Sequence, residues 1–332
     1  MTAKYIFRNT FLVYEMLFVL DLFMEEKLMD RLVWFKGDIV NIDEAKVNVL
    51  SPTSQFGANV FEGLRGYWNK IDNQLYVFKL NQHTDRLKSS MKMMELEHNF
   101  STDFLQQSVI EIIRANKFEE DIVCRQTVFL DGFGSWSATG PSEMFIAPMA
   151  KGRYYENIQG LHVCISSWER INEKSLSPKI KMGANYMNSR MGQLEAVRKG
   201  YDSAIFLNQE GTVSEGPGSC VFIVKNGALI TPPLTASILD SITRSTIISI
   251  AKSELKLEVI ERDIEKSELL IADEIFMCGT AVEVVPVFSV DRIMVGSGLK
   301  GTVTKDVECL YLKIVRGEIE EYKKWLTPVY KR

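Results

Sequence analysis

Hydrophobic and polar positions begin to alternate at Leu32, and this alternation predicts the elements of the first half of the chain. The run VWFKGDIVN alternates like a strand with a Lys-Gly turn, and KVNVLS repeats the alternation, so the two runs predict a pair of strands. The next stretch, SPTSQFGANVFEGLRGYW, is interpreted as a loop, after which QLYVFKL predicts a strand. Leu87, Met91 and Met94 recur at helical spacing, and TDFLQQSVIEIIRANK predicts a second helix that opens on a Thr cap. Two further strands, in IVCRQTVFLDGFG and SEMFIAPMA, complete this unit.

The segment KGRYYENIQG is polar and contains two glycines, which favours a linker between two domains. Beyond it, short strands and turns alternate with two predicted helices, SRMGQLEAVRKG and SITRSTIISIAKSEL, and DEIFMCGT predicts a buried strand. The expected fold class is therefore α+β, with a small N-terminal domain and a larger, strand-rich C-terminal domain. We expect an N-terminal extension at residues 1–29, the small domain at 30–150, the linker at 151–158 and the large domain at 159–332.

The composition fits a soluble globular protein and excludes several classes of partner. The 332 residues are 46% hydrophobic and 25% charged, and the net charge is -4 with lysines and arginines scattered along the chain. Nucleic acid is therefore not an expected partner. The three histidines lie far apart, so we expect no metal site. The five cysteines are odd in number and widely spaced, which is typical of reduced thiols and favours a cytoplasmic location.

The N-terminal residues 11–24 are apolar and loosely similar to a secretory signal. Glu15 and Asp21 interrupt the stretch, which is too short and too charged to span a bilayer and is followed by no small-residue cleavage pattern. We expect no membrane partner. The stretch is either an added amphipathic segment or the product of a start codon upstream of Met24 or Met29, and export is the remaining alternative.

Candidate chemistry appears first in KIKMGANYMNSR, where two lysines precede a predicted helix. An amine that forms an imine must be unprotonated part of the time and held in a semi-buried site. Lys181 lies between two apolar residues and precedes Gly183 and Ala184, which are small enough to admit a planar ring. Lys179 would project from the same face of an extended segment. Spacing therefore leaves the choice between the lysines open, and two solvated lysines in a loop are the simpler alternative.

A carboxylate in a turn is the second candidate. Glu215 lies in GTVSEGPGSCVFIV, between a predicted strand and a Gly-Pro-Gly turn. Such a residue is either solvated or placed to keep a pyridine nitrogen protonated, which a cofactor acting as an electron sink requires. The local sequence does not choose between these alternatives.

A phosphate site is the third candidate, because a helix N-terminus presents free N–H groups and the positive end of the helix dipole. LDSITRSTIIS begins a predicted helix with Ser241, Ile242 and Thr243, although helix capping explains Ser and Thr equally well. The CGT of the strand that follows places Gly279 and Thr280 where a ligand could approach the backbone. The chain contains neither GxxxxGK[ST] nor a GxGxxG that opens a helix, so nucleotide-binding folds are not supported.

Together these motifs resemble the branched-chain amino acid aminotransferase family, the class IV aminotransferases among the fold-type IV pyridoxal-phosphate enzymes. The resemblance rests on KMGANY, SEGPGS, DSITR and CGTAVE in this order, preceded by WFKGDIV, FGANVFEGLRGY and HTDRL. It extends from about Val33 to Trp325. It implies a D-amino acid aminotransferase-like architecture, pyridoxal 5'-phosphate as cofactor, and a homodimer or higher homo-oligomer.

The resemblance also implies roles for individual residues. Lys181 matches the family's imine-forming lysine and Tyr186 the phenol near the cofactor ring, which decides against Lys179. Glu215 matches the carboxylate that partners the pyridine nitrogen. The matches to the family's phosphate-binding residues are Arg86, Ile242, Thr243 and Thr280.

The substrate pocket matches the family less completely. Phe61 matches an aromatic wall, Arg125 matches an arginine directed at the distal carboxylate of glutamate, and the backbone that meets the substrate carboxylate matches Gly279, Thr280 and Ala281. Phe56 and Val123 stand where the family usually has tyrosine. These two changes make the expected pocket more apolar or roomier. A linker aromatic, Tyr154 or Tyr155, is the expected replacement for another pocket side chain.

The function implied by the resemblance is transamination of leucine, isoleucine and valine with 2-oxoglutarate, which gives 2-oxo acids and L-glutamate. The alternatives are an aminotransferase of the same fold that uses another donor, in a specialised pathway or with D-amino acids, and an enzyme similar to aminodeoxychorismate lyase. A non-catalytic scaffold would not need Lys181, Glu215 and Arg86 together.

Overall fold

Two β-sheets organise the described part of the chain. The computed structural model describes residues 31–155 and 158–330, so the predicted extension at residues 1–29 lies outside it. The mixed helices and sheets agree with the expected α+β class. The strands of the first sheet are β1 (Leu32–Phe35), β2 (Asp38–Asn41), β3 (Asn59–Asn69), β4 (Gln74–Phe78), β5 (Ile122–Leu130), β6 (Ser142–Ala150) and, from the far end of the chain, β15 (Leu326–Pro328).

The first sheet is antiparallel throughout, in the order β15-β4-β3-β5-β6-β1-β2. A 3-10 helix (Ile42–Glu44) and α1 (Pro52–Phe56) connect β2 to β3, and α2 (Leu80–Met93) and α3 (Thr102–Ala115) connect β4 to β5. The apolar positions predicted for these helices pack in one core with the sheet, and the buried ones are Leu87, Met91, Leu105, Val109, Ile112 and Ile113. Burial of this face holds α2 firmly against β3.

The second sheet has eight strands and mixed pairing. Its strands are β7 (Leu161–Ile165), β8 (Ser203–Ile205), β9 (Cys220–Lys225), β10 (Ala228–Thr231), β11 (Val259–Glu261), β12 (Glu274–Gly279), β13 (Glu283–Val290) and β14 (Ile293–Met294). The helices of this part are α4 (Tyr186–Arg198), α5 (Ile242–Ser253), α6 (Glu268–Ile271), α7 (Thr302–Val315) and a 3-10 helix (Glu320–Trp325). The path runs β11-β10-β9-β12-β13-β7-β8, and β14 pairs with β13.

The two sheets share an apolar core. Phe222 of β9 and Phe276 of β12 stack with their ring centres 4.9 Å apart, beneath α5 and α7. Tyr67 of β3 and Phe78 of β4 belong to the same cluster. This shared core fixes β3 relative to α5, which matters because candidate functional residues lie on both.

Two predictions for residues 46–69 are wrong. KVNVLS forms no strand, because the Asn48 side chain accepts a hydrogen bond from the Leu50 amide (2.8 Å) and turns the chain into α1. The stretch interpreted as a loop contains α1 and the long strand β3. β3 is buried along most of its length on both faces, so its sequence lacks the polar and apolar alternation of a half-exposed strand. Its buried charges, Glu62 and Arg65, have partners far away in the sequence.

The predicted helix boundaries differ from the structure by up to three positions, and the largest difference is at α4, which begins at Tyr186 rather than at Ser189. α3 is capped by Ser101, whose hydroxyl accepts from the Phe104 amide at 3.1 Å, rather than by the expected threonine. α4 ends before Gly200, which adopts a left-handed φ of 75° as a helix-terminating glycine does. The domain division stays a prediction, and β15 returns from the end of the chain to the first sheet.

The described residues include no helix long and apolar enough to cross a membrane. All five cysteines are described and free. Cys309 is exposed, and the others are buried.

Candidate active site

Lys181 lies where the segment before α4 crosses the first sheet. Its amide donates to the Ser90 hydroxyl (3.1 Å), and its carbonyl accepts from the Phe61 amide (2.9 Å). The Lys181 Nζ atom donates to the Tyr186 hydroxyl at 2.7 Å and lies 5.0 Å from the centre of the Phe61 ring. The backbone bonds fix the position of the side chain, and its amine faces two aromatic rings.

The local sequence explains this geometry. The Asn185 side-chain amide donates to the carbonyls of Ser177 (2.9 Å) and Ile180 (2.8 Å), which closes the turn that carries the lysine. A Cβ at Gly183 would lie 2.7 Å from Asn59 Oδ1, so a side chain there would displace the Asn59 side chain of β3. α4 then begins at Tyr186. The two residues that approach each other, Lys181 and Tyr186, are therefore held on either side of one tight turn.

The structure distinguishes Lys181 from Lys179, between which the spacing in the sequence could not choose. The chain turns between residues 177 and 182 instead of remaining extended, so the expected common face does not exist. The Lys179 side chain is 49% exposed and lies 3.7 Å from the exposed carboxylate of Glu173. Lys179 is thus the solvated residue of the pair.

Tyr186 and Phe61 form an aromatic contact next to the amine. Their ring centres lie 4.9 Å apart, and the guanidinium carbon of Arg125 lies 3.9 Å from the centre of the Phe61 ring. A guanidinium stacked on an aromatic face is held by a cation–π interaction. Arg125 therefore lies next to the ring that also contacts Lys181.

Glu215 is a buried carboxylate, with 4% of its surface exposed. Its Oε1 accepts from Arg170 Nε at 2.9 Å, and its Oε2 accepts a longer bond of 3.3 Å from the Leu239 amide. Burial raises the pKa of Glu215, and the neighbouring Arg170 opposes that rise. Arg170 also donates to Asn188 Oδ1 of α4 (2.8 Å), which links the carboxylate to the helix that begins at Tyr186.

Arg86 of α2 is held by a carboxylate from β3. Its Nε and Nη2 donate to the two oxygens of Glu62 at 2.8 and 2.7 Å, and its Nη1 donates to the Asp240 carbonyl at 2.8 Å. His83, one turn earlier, contacts the same carboxylate through Nδ1 at 2.6 Å. Burial alone would raise the pKa of Glu62, but the charge of Arg86 and the hydrogen bonds from Arg86 and His83 lower it to about 2.

The lowered pKa of Glu62 predicts a loss of stability in acid. A group whose pKa falls from 4.5 to about 2 on folding stabilises the fold above pH 4.5, by about 3 kcal/mol. This contribution is lost as the pH falls from 4.5 towards 2. We therefore expect the difference in unfolding free energy between the wild type and Glu62→Gln to shrink over this range in urea titrations. The control is Glu111→Gln, an exposed change in α3, and an equal pH dependence of both variants would contradict the prediction.

The start of α5 adjoins Arg86 and Glu215. Ser241 caps the helix by accepting from the Arg244 amide at 3.2 Å, and the amides of Ile242 and Thr243 follow in the first turn, where a helix supplies no intrahelical acceptor. The two preceding residues bind the other groups, because the Leu239 amide contacts Glu215 and the Asp240 carbonyl contacts Arg86. The structure thus brings the predicted carboxylate, guanidinium and helix start together.

The charge of Lys181 affects the pKa values of His83 and Glu215. Burial lowers the pKa of His83 and raises the pKa of Glu215, and the charge of Lys181 acts to lower both pKa values. The amine, the carboxylate and the Glu62–Arg86 pair are therefore within electrostatic reach of one another.

The remaining predicted residues form the turn between β12 and β13. Gly279 ends β12, and a Cβ there would lie 3.0 Å from the Gly218 carbonyl, so two backbones meet at this glycine. Thr280 is partly buried, and the carbonyl of Ala281 accepts from Arg65 Nη1 at 3.3 Å. The described residues contain no group of three or more side chains that could hold a metal ion.

The aromatic residues at the edge of the site are exposed. Phe56 makes an edge contact with Trp136, which is 81% exposed, with ring centres 6.2 Å apart. Val123 lies in β5 opposite Arg65. Tyr154 is exposed and packs edge-on against Tyr155, with ring centres 4.9 Å apart.

Three residues of this arrangement are not predicted from the sequence. Glu62 lies in FGANVFEGLRGY and His83 in HTDRL, and the spacing of His83 and Arg86 on one helical face is the signal that the sequence offers. Arg170 lies 45 positions before its partner Glu215, in a run of mixed charges that carries no local signal.

Comparison with known proteins adds independent findings. The family model described as amino-transferase class IV matches residues 59–290. The probable branched-chain-amino-acid aminotransferase of Aquifex aeolicus is 39% identical over 302 residues, which cover 90% of this chain and 96% of that protein. The branched-chain amino acid aminotransferase of Thermobaculum terrenum in its PLP form superposes with a TM-score of 0.87 at 40% identity, over 92% of this chain and 100% of that one. The branched-chain aminotransferase of Thermoproteus uzoniensis with norvaline matches with a TM-score of 0.86 at 40% identity, over 90% and 99% of the two chains.

Proposed function

Because the chain belongs to the class IV aminotransferases and, within them, to the branched-chain-amino-acid aminotransferases, we propose that it exchanges the amino group of leucine, isoleucine or valine with 2-oxoglutarate. It is a transferase that uses pyridoxal 5'-phosphate and takes amino acids and 2-oxo acids as substrates. The products are 2-oxo acids and L-glutamate. The observation that carries the proposal is the 2.7 Å contact of Lys181 Nζ with the Tyr186 hydroxyl, in a site that also contains Glu215 and Arg86.

The donor set of the site fits pyridoxal phosphate. The cofactor needs an amine for its carbonyl carbon, an acid partner for its ring nitrogen, and cationic or N–H groups for its phosphate. Lys181 supplies the amine and Glu215 the carboxylate. The phosphate would be held by Arg86, the first-turn amides of Ile242 and Thr243, and Thr280, since a helix N-terminus and an arginine both favour an anion. When bound, the cofactor supplies an electron sink for the charge that develops at the substrate Cα.

Lys181 Nζ takes the proton from the substrate Cα and later returns it. An amine can act as base and acid in turn only if it stays within reach of the reacting carbon. The Tyr186 hydroxyl, 2.7 Å away, and the backbone bonds to Ser90 and Phe61 hold it in place. The neighbouring rings also exclude water from one side of the amine, which limits competing proton transfer.

Glu215 keeps the ring nitrogen of the cofactor protonated. Its Oε1 is occupied by Arg170, whereas Oε2 has only the 3.3 Å bond from Leu239 and retains lone pairs for another donor. Arg170 maintains negative charge on the buried carboxylate, because the pair would otherwise leave an unpaired buried cation. The carboxylate is thereby fixed in position, and Arg170 favours its charged form against the effect of burial on its pKa.

The substrate side chain is placed over β3 and β5. Phe61 forms one wall, and a Cβ added to the neighbouring Gly63 would meet no atom within 4 Å, so there is open space above this strand. Gly63 pairs with Arg125, which in turn pairs with Ala147 of β6. The open space and small residues suit a branched apolar side chain. The guanidinium of Arg125 at the same place suits the distal carboxylate of glutamate.

A half-reaction screen tests the donor. L- and D-amino acids are added separately to the purified holoenzyme, and the absorbance of the bound cofactor is followed. We expect rapid conversion with leucine, isoleucine, valine and glutamate and no response to D-alanine. A response to D-alanine alone would instead favour the D-amino acid alternative. Arg125→Gln serves as an internal test, because it should lower kcat/KM for glutamate about 10- to 100-fold, the strength of a hydrogen bond to a charged group, and change leucine little.

The assembly is proposed to be a homodimer. Phe56, Phe133 and Trp136 are exposed on one part of the first sheet's loops, and exposed aromatic residues are enriched at protein interfaces. Sedimentation of the holoenzyme should give about twice the mass of one 37.8 kDa chain. A monomeric mass at micromolar concentration would contradict this assembly.

The location is proposed to be cytoplasmic. All five cysteines are free thiols, which favours a reducing compartment. Cell fractionation with activity measured in each fraction tests the location, and activity confined to a membrane or exported fraction would contradict it.

A further inference from the structure

Arg65 is a buried cation that joins three separate segments of the chain. It lies in β3 with 1% of its surface exposed. Its Nη1 donates to the carbonyl of Ala281 (3.3 Å), and its Nη2 donates to the carbonyl of Gly152 (2.7 Å). Its Nε lies 3.3 Å from Oε1 of Glu283, which is also 1% exposed. The first sheet, the predicted linker and the turn between β12 and β13 therefore meet at one guanidinium.

The turn depends on Glu283 for its shape. Gly279 and Glu283 are cross-strand partners, and three residues connect them. Glu283 has a φ of 59°, in the left-handed region that a residue with a side chain rarely adopts. Such a conformation persists only where the surroundings determine it. Arg65 contacts one oxygen of Glu283, and Arg153 Nε donates to the other at 2.8 Å, so the two arginines fix the residue that closes the turn.

We propose that Arg65 and Glu283 are positioning residues that set the backbone of residues 279–281 to receive the α-carboxylate of the substrate. This inference rests on the proposed function, which assigns that carboxylate to the turn. Arg65 does not bind the substrate itself, because only 1% of its surface is exposed. It acts through the carbonyl of Ala281 and through Glu283, and so it holds both ends of the turn.

The consequence is selective for one part of the substrate. The cofactor would be attached through Lys181 and Glu215, whose hydrogen bonds in the described residues go to Tyr186 and to Arg170 rather than to Arg65. Loss of Arg65 should therefore weaken the recognition of carboxylates much more than the binding of the cofactor, for which the turn supplies only Thr280, or the binding of plain amines. If Arg65 had a purely structural role, its loss would weaken carboxylate recognition, cofactor binding and amine binding together.

The experiment compares two probes that each carry half of leucine. 4-Methylvaleric acid has the carboxylate without the amine, and 3-methylbutylamine has the amine without the carboxylate. Both are titrated into the holoenzyme of the wild type and of Arg65→Met, with the absorbance of the bound cofactor as readout. We expect Arg65→Met to weaken the acid at least 10-fold, to raise KM for leucine by a similar factor, and to change the response to the amine less than 2-fold.

Two further variants keep the test decisive. Arg65→Met leaves the carboxylate of Glu283 buried with one partner fewer, which destabilises the fold, and the double variant with Glu283→Gln removes that charge. The double variant should melt at a higher temperature than Arg65→Met and still bind the acid weakly. Arg65→Lys retains the charge without the fork that reaches three acceptors, and it should recover acid binding only in part.

The matched control is Arg316→Met. Arg316 donates to both oxygens of Asp121 (3.2 and 2.7 Å), and it also ties the first sheet to a helix of the second part without a hydrogen bond to the turn. It should keep the wild-type affinity for both probes. The inference is overturned if Arg65→Met binds the acid as the wild type does, or if the acid and the amine weaken equally. A wild-type protein that responds to neither probe would instead refute the proposed function.

Discussion

Replacement of Lys181 by alanine is expected to reduce turnover at least about 10³-fold, since general acid–base catalysis alone contributes typically 10²–10⁴ and the covalent attachment of the cofactor is lost as well. Among the lysines that the structure describes, Lys181 is the one that donates to Tyr186, at 2.7 Å, and the neighbouring Lys179 lies on the surface. The measurement is single-turnover conversion of leucine, together with borohydride reduction and mass spectrometry of the protein. Reduced wild type should retain the cofactor on the peptide that contains Lys181, and the variant should retain none.

The chain supplies its own control, because Lys179 lies two residues away. Lys179→Ala removes the same type of side chain from the same turn, but at a position whose only ion pair in the described residues is exposed. It should leave both the covalent attachment and the rate within about 2-fold, in line with the small contribution of an exposed pair. If Lys181→Ala still turned over leucine, or if the two variants lost activity alike, the assignment of the amine would be wrong.

The second large effect is expected for Glu215→Gln, with a fall in kcat on the order of 10²–10³, the usual cost of removing one preorganised charge from a site. Glutamine has nearly the shape of glutamate but cannot hold a pyridine nitrogen in its protonated form. Covalent attachment through Lys181 should persist, so the rate is expressed per bound cofactor. Arg170 loses its buried partner in this variant, which lowers stability by about 3–5 kcal/mol. The assays therefore belong at a temperature where circular dichroism shows a folded protein.

Glu210→Gln is the control for this change. It replaces an exposed carboxylate five residues earlier in the same region. It should leave kcat unchanged. A Glu215→Gln enzyme with kcat within about 3-fold of the wild type would mean that the carboxylate has no electrostatic role in the reaction.

The local spacing of apolar residues was sufficient to predict the helices that bury one face and expose the other. α2 and α3 have one buried and one exposed face, and their apolar spacing predicted them. β3 was missed because both of its faces are buried and because Gly63 and Gly66 within it resemble a turn. A charge such as Glu62 resembles a solvated one in the sequence when its partner is 24 positions away. Burial on both faces depends on tertiary packing, and the periodicity of apolar residues along the strand does not reveal it.

The residues of the site also divide into those that local sequence predicts and those that depend on distant contacts. Physical reasoning from the residues identified the lysines, Glu215 and the helix start as possible, and the resemblance selected Lys181. The groups that hold these side chains, Glu62 and Arg170, depend on contacts between distant segments. They became visible only once the segments were folded together.

The position of β15 has a consequence for how the protein is made. The first sheet starts with the first described residues, yet its edge strand is Leu326–Pro328, followed by a bond from the Val329 amide to the Leu75 carbonyl (2.9 Å). Synthesis proceeds from the N-terminus, so β4 keeps an open edge until residues 326–329 have left the ribosome. The nascent first sheet can therefore pair with other chains at this edge until β15 is available to cover it.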